Sequence, residues 1–205
     1  MNYNKLATKE VVQKVVQALG KRNVEAVVVE NGREALAKIK ELIPKNTSVM
    51  NGSSVTLEQI GFIDYLKEEK HGWNNLHAGI IAEKDPTKQS LLRKQALLSD
   101  YYLGSVHALA ETGEFIIASN TGSQLPHIVF SSSNLIFVVS TKKIVPTLPD
   151  ATNRLIKHVV PLEDAQMKRK YGVGTAVNKV FTFYNENPMM GRKIIMILVN
   201  DDLGF

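Results

Sequence analysis

Apolar residues recur at helical spacing at the start of the chain. Val11, Val12, Val15, Val16 and Leu19 share one face, and Gly20 can end the helix. The pattern then switches to a short β-branched run, VEAVVVE (24–30), of the kind a buried parallel strand shows. Asn31 and Glu34 are spaced as a capping box, and Ala35, Leu36, Ile39, Leu42 and Ile43 form one face of a second helix that Pro44 stops. TSVM (47–50) reads as the next strand. Helix, strand, helix, strand in this order predicts an α/β fold: a mostly parallel sheet flanked by helices.

Thr56 and Gln59 repeat the capping-box spacing, so a helix is expected to start near Thr56. Residues 64–85 are polar and irregular and read as a loop or lid whose Trp73 packs on the domain. His71 and His77 stand six apart with no acid at ligand spacing, which is a poor metal pattern. Asp85 and Pro86 suit a helix start, with Leu91, Leu92, Ala96 and Leu98 on its buried side. Strands are expected at 101–106, 114–119, 134–140 and 193–199, and a helix from near Asp150. Residues 171–192 give no clear period. No repeat or low-complexity linker appears, so residues 1–205 are read as a single domain.

Composition narrows the chemistry. The chain has no cysteine, which excludes disulfides, thiolate metal sites, iron–sulfur ligation and a cysteine nucleophile within it. The net charge is +5, but the densest basic cluster, Lys168-Arg169-Lys170, ends a helix, so no nucleic-acid partner is expected. Apolar runs such as Ile194–Val199 are far too short to span a membrane, and the amino terminus has no apolar leader. A cytoplasmic protein without a membrane partner is the expectation.

Two small polar stretches attract attention. Asn51, Gly52, Ser53 and Ser54 join a strand's carboxyl end to a helix start at Thr56, where free backbone amides can hold an anion. The alternative is a tight turn made of small residues. Glu111, Thr112 and Gly113 precede an apolar strand; they are either a turn or a reactive carboxylate at a sheet edge. Thr121 and Gly122 lie in a further polar turn. His107, four residues before Glu111, has a general-base role only if geometry supplies one.

The segments NGSSVTLEQIGF (51–62), RKQALLSDYYLGSVHALAETGEF (93–115), TKKIVPTLPDATNRL (141–155) and IIMILVNDDLGF (194–205) occur in this order. Together they resemble the LUD domain family, the lactate-utilization protein B/C-like proteins, over roughly residues 5–205. The resemblance implies a fold related to glucosamine-6-phosphate deaminase, ribose-5-phosphate isomerase and the CoA transferases. It implies an accessory part in oxidation of L-lactate to pyruvate beside iron–sulfur partner proteins. The family's Ala/Thr-Glu-Thr/Asp-Gly pattern falls on Glu111, Thr112 and Gly113, and related CoA transferases use a glutamate nucleophile, which assigns Glu111 as catalytic. Asn51, Gly52, Ser53, Ser54, Thr56, Thr112, Gly113, Thr121 and Gly122 are then the expected ligand contacts, for a small anionic or phosphorylated ligand. The chain departs from some small relatives in lacking cysteines across 165–192 and a GPSRTADIE-like stretch in TFYNENPMMGRKI (182–194). Three functions stay open: the lactate-linked accessory component, a stand-alone enzyme of the CoA-transferase or phosphosugar-isomerase kind, and a binding module for a small anion. Self-association into a homo-oligomer is compatible with each.

Overall fold

The computed structural model describes residues 1–205. Helix α1 (Lys9–Gly20) forms where the spacing predicts; Thr8 caps it, accepting from the Val11 amide at 3.4 Å, and Val12, Val15 and Leu19 are buried. Strand β1 (Glu25–Val29) follows, then α2 (Gly32–Leu42). The capping box is present, with its return bond shifted by one residue: Asn31 accepts from the Glu34 amide at 3.1 Å, and the Glu34 carboxylate accepts from the Glu30 amide at 2.9 Å. β2 (Ser48–Asn51) leads to the first local departure. Helix α3 (Val55–Gln59) is only five residues long, and its cap is Ser54, which accepts from the Leu57 amide at 3.3 Å. Thr56 and Gln59 do not cap it, because both side chains are used by distant parts of the chain. Thr56 Oγ1 accepts from Lys143 Nζ at 3.1 Å, and the Gln59 side chain accepts from the Gly204 amide at 2.6 Å. Gly61, at φ 78°, turns the chain into α4 (Phe62–Lys67).

The expected irregular stretch contains β3 (Asn74–Asn75) and α5 (Leu76–Ala82). Trp73 does pack on the domain, against Phe62, Tyr65 and His71, and its Nε1 donates to the Ile43 carbonyl at 3.1 Å. His71 accepts from the Trp73 amide at 3.0 Å, so it serves this turn. Helix α6 (Pro86–Gln95) starts at the Asp85 cap as expected. Of the face expected to be buried, Ala96 is buried and Leu92 half-buried, whereas Leu91 is 54% exposed and Leu98 82%. α6 rests on α5, one layer out from the sheet, so little core reaches it.

β4 (Tyr101–Gly104), β5 (Ala108–Ala110), β6 (Phe115–Ser119) and β7 (Asn134–Ser140) follow. Then come β8 (Ile144–Val145) and α7 (Leu148–Arg154), which Thr147 caps. A π-helical turn, Leu155–Val159, joins α7 to α8 (Val160–Tyr171). The unreadable region holds β9 (Lys179–Phe183), and β10 (Lys193–Val199) is the last strand. There are two sheets where one was expected. Six strands in the order β1-β10-β7-β4-β2-β3 form an all-parallel sheet. The smaller mixed sheet runs β8-β5-β6-β9. β1 lies at an edge, paired only with β10, so Val28 is 45% exposed rather than buried.

One core packs α1 and the inner face of the small sheet (Leu109, Phe115, Ile117, Phe183) against the large one. A second lies between the large sheet and α2, α3 and α4. A third fills the outer face of the small sheet beneath α7. No helix is long and apolar enough to cross a membrane.

Candidate functional site

Because the large sheet is all parallel, every strand delivers its carboxyl end to the same edge, where open α/β sheets hold ligands. The loop after β2 brings Gly52–Thr56, that after β4 brings Ser105–His107, that after β7 brings Lys143, and the segment after β10 brings Gly204 and Phe205. With Ser119–Thr121 beyond β6 and Leu155, Val159 and Glu163 from the opposing helices, they wall a cleft of about 370 Å³.

Lys143 is the chemical centre of this cleft. Ser140 caps the short 3₁₀ turn Thr141–Lys143 at the end of β7, accepting from the Lys142 amide at 3.3 Å. The two lysines then part. Lys142 reaches outward to the Asp202 carboxylate at 2.5 Å and the Gly204 carbonyl at 2.7 Å. Lys143 turns inward and is 4% exposed. Its Nζ donates to Thr56 Oγ1 at 3.1 Å, Ser105 Oγ at 3.0 Å and the Val106 carbonyl at 3.2 Å; no carboxylate pairs with it. Burial, with Arg154 and Lys142 nearby, pushes its pKa down to about 7. Gly204, at φ 67°, lies against this amine; a Cβ there would collide with Thr56 Oγ1 and stand 2.8 Å from Lys143 Nζ.

Arg154 is a second buried cation without a carboxylate. It has no exposed surface, it donates to the His107 carbonyl, and its Nε and Nη2 have no partner. Burial lowers its pKa to about 10. His107, which lines the cleft, accepts from the Ala118 amide through Nδ1 at 3.1 Å. That bond fixes the neutral tautomer with hydrogen on Nε2, a donor that no other group of the chain takes up. Burial and the two cations push the His107 pKa down to about 3, so near neutral pH it donates a hydrogen bond but carries no charge. Glu163 is the one carboxylate in the cleft wall, and burial raises its pKa. The cleft wall therefore sets a buried lysine that has only neutral partners beside hydroxyls and a neutral imidazole, a set that suits a small anion.

Of the residues singled out in the sequence, Gly52, Ser53, Ser54, Thr56 and Thr121 line this cleft. Asn51 is buried below it as the last residue of β2, with Oδ1 unpartnered. Gly52 is required by its own neighbours: a Cβ would strike the Tyr102 hydroxyl and lie 3.0 Å from the Gln124 side chain. Gly122, at φ 86°, turns the chain behind the wall, against the Lys179 side chain. A five-residue helix leaves little dipole behind the Ser53–Ser54 loop, so the charge comes from Lys143 and not from α3.

Glu111, Thr112 and Gly113 are not in the cleft. They form the tip of the β5–β6 hairpin. The Gly113 amide donates to the Ala110 carbonyl at 2.8 Å, the Ala110 amide to the Glu114 carbonyl at 2.8 Å, and Gly113 has φ 93°. This is a three-residue hairpin loop with glycine at its left-handed position. Glu111 pairs with Lys14 at 2.8 Å over a separate shallow depression that α1 lines with Gln17, Lys21 and Arg22. Arg22 donates to the Thr112 carbonyl at 2.8 Å, to the Tyr184 carbonyl and to Glu114. The glycine and the carboxylate are both accounted for by the turn. Sequence reasoning missed Lys143 and Arg154; the one visible signal for Lys143 was a lysine pair one residue beyond a strand with an apolar centre.

The profile of the LUD domain family matches residues 12–172. The chain is also similar in structure to a DUF162 family protein from Deinococcus radiodurans, at 12% identity and a TM-score of 0.54, over 95% of this chain and 99% of that one. No curated protein sequence matches it.

Proposed function

The chain belongs to the LUD domain family, whose members are related to lactate utilization, and on that premise we propose that it is an accessory component of lactate oxidation that holds a small anion at Lys143. The observation that carries this reading is a fully buried lysine with no carboxylate partner, opening on a cleft of small-molecule size at the carboxyl edge of a parallel sheet. A ligand carboxylate or phosphate supplies the charge that the protein leaves out, and His107 Nε2 and the Ser53, Ser54 and Thr121 hydroxyls offer neutral hydrogen bonds around it. With no cysteine, the chain has no thiolate for a cluster, so electron transfer falls to iron–sulfur partner proteins. A stand-alone transferase acting through Glu111 is less well supported, since that carboxylate already pairs with Lys14 outside the cleft.

Thermal unfolding in the presence of L-lactate, pyruvate or inorganic phosphate tests the reading. A ligand at a hundredfold excess over its dissociation constant stabilises by about 2.7 kcal/mol, a shift of several degrees for a chain of this size. At least one of the three is expected to give that shift in the wild type and none in Lys143→Met, with the far-ultraviolet spectrum unchanged. Equal shifts in both proteins, or no shift with any of the three anions, would overturn it.

A further inference from the structure

No carboxylate of the chain holds Lys143 in its charged form, so beside binding an anion its surroundings suit a second task. Two of its three partners, Thr56 Oγ1 and Ser105 Oγ, are hydroxyls that can accept from an ammonium or donate to a neutral amine. The third, the Val106 carbonyl, can only accept. The site thus satisfies the nitrogen in either protonation state without moving a heavy atom. Gly204 brings its backbone against the amine where a side chain would crowd it, and Lys143 lines the cleft.

The geometry points to Lys143 as a nucleophile that forms an imine with the carbonyl carbon of a 2-oxo acid. This rests on the reading that the cleft takes a small carboxylate. The neutral Nζ attacks the carbonyl carbon and the C=O π bond opens onto oxygen. A proton passes from nitrogen to that oxygen through the Thr56 or Ser105 hydroxyl. The remaining N–H proton passes to the new hydroxyl by the same route, the C–O bond breaks with its electrons leaving on oxygen, water departs and the C=N bond forms, so amine and carbonyl give imine and water with no redox change. When protonated, the product keeps one N–H for the Val106 carbonyl. Its single positive charge replaces the ammonium's, so the surroundings of the buried cation are unchanged. The depressed pKa makes a large fraction of the amine neutral near pH 7, in agreement with this geometry. His107 lines the same cleft and, being neutral, has an N–H to offer the ligand carboxylate.

The test uses the full chain with pyruvate and sodium cyanoborohydride, followed by peptide mapping by mass spectrometry. The expected result is one saturable, irreversible adduct on the peptide carrying Lys143, and none with L-lactate, which has a hydroxyl in place of the ketone. Mapping the wild type needs no variant to fold; Lys143→Arg, which keeps the charge, is expected to remove that adduct. Labelling spread over exposed lysines without preference for Lys143 would overturn the inference, as would no labelling at all. Thermal stabilisation by pyruvate without any adduct overturns the imine alone and leaves the anion site standing. Absence of both overturns the two together.

Discussion

The hairpin tip at Glu111 and the cleft at Lys143 each place charges beside a glycine, yet they treat those charges in opposite ways. At the hairpin, Lys14 meets Glu111, and Arg22 meets Glu114 and two carbonyls. At the cleft, Lys143 has only neutral partners and Arg154 keeps two donors empty in the interior. A protein gains nothing in stability by burying a cation without its counter-charge, and the cost runs to several kcal/mol. Paired charges at a turn hold the architecture; Lys143, unpaired beside a cavity, leaves its counter-charge for a ligand to supply in the reading proposed above. The difference separates a motif that looks catalytic from a residue that no motif announced.

The largest effect that can break this contrast lies in the pH dependence of stability. Lys143 releases its proton near pH 7 in the folded chain, against an ordinary value of 10.5. Between these values the unfolded chain binds more protons than the folded one, so stability climbs as pH rises through that window. The full cost of the buried charge is present below pH 7. Relative to Lys143→Met, the wild type is expected to gain on the order of 4 kcal/mol from pH 7 to above 10. Urea denaturation of both proteins across that range measures it. Parallel profiles would mean that Lys143 is compensated after all, and the contrast would fail.

At the hairpin the sign reverses, because removing a partner there removes stability. Arg22→Ala strips a donor from the Thr112 and Tyr184 carbonyls and leaves the half-buried Glu114 with only the Thr112 hydroxyl. A loss of about 3 kcal/mol is expected in the same denaturation experiment, with ligand-induced thermal shifts unchanged. The smallest effect is the sharpest. Glu111→Gln loses only a pair with Lys14, whose side chain is 61% exposed, so it is expected to cost less than about 1 kcal/mol. It too should leave ligand responses intact. A Glu111→Gln protein that kept its stability but lost every ligand response would return the carboxylate to the site.

What could be read in the sequence divides along physical lines. Local signals carried well. The α1 periodicity, the Asn31–Glu34 box and the Asp85-Pro86 start depend on neighbours in the chain, and all three formed. The second box failed because Thr56 and Gln59 are claimed by Lys143 and Gly204, from beyond the next five strands, and no local rule can see that competition. β5 and β8 were invisible because strands of two or three residues carry no period. That the Gly52–Ser54 loop lines a cleft at the sheet's carboxyl edge was legible because a strand-to-helix loop in a parallel sheet has one place to go. That Glu111 lies at a hairpin tip and outside the cleft was not legible, because a hairpin glycine and an active-site glycine look alike in one dimension. Lys143 was missed because burial, not identity, makes a lysine unusual.

The order of strands in the large sheet has a consequence for how the protein is made. β10, the last strand to be synthesised, sits between β1 and β7 and is the only neighbour of β1. While the chain is still emerging from the ribosome, β2, β4 and β7 can pair, but β1 waits beside α1 with nothing to join, and β7 shows an open edge. The sheet therefore closes in its final step, by insertion of Lys193–Val199 into a slot flanked by two ready strands. Such distant pairing is slow, and unpaired edges recruit other chains. Nascent chains halted before residue 193 should be the species that depend most on chaperones, and a synthetic peptide spanning β10 should suit the vacant slot.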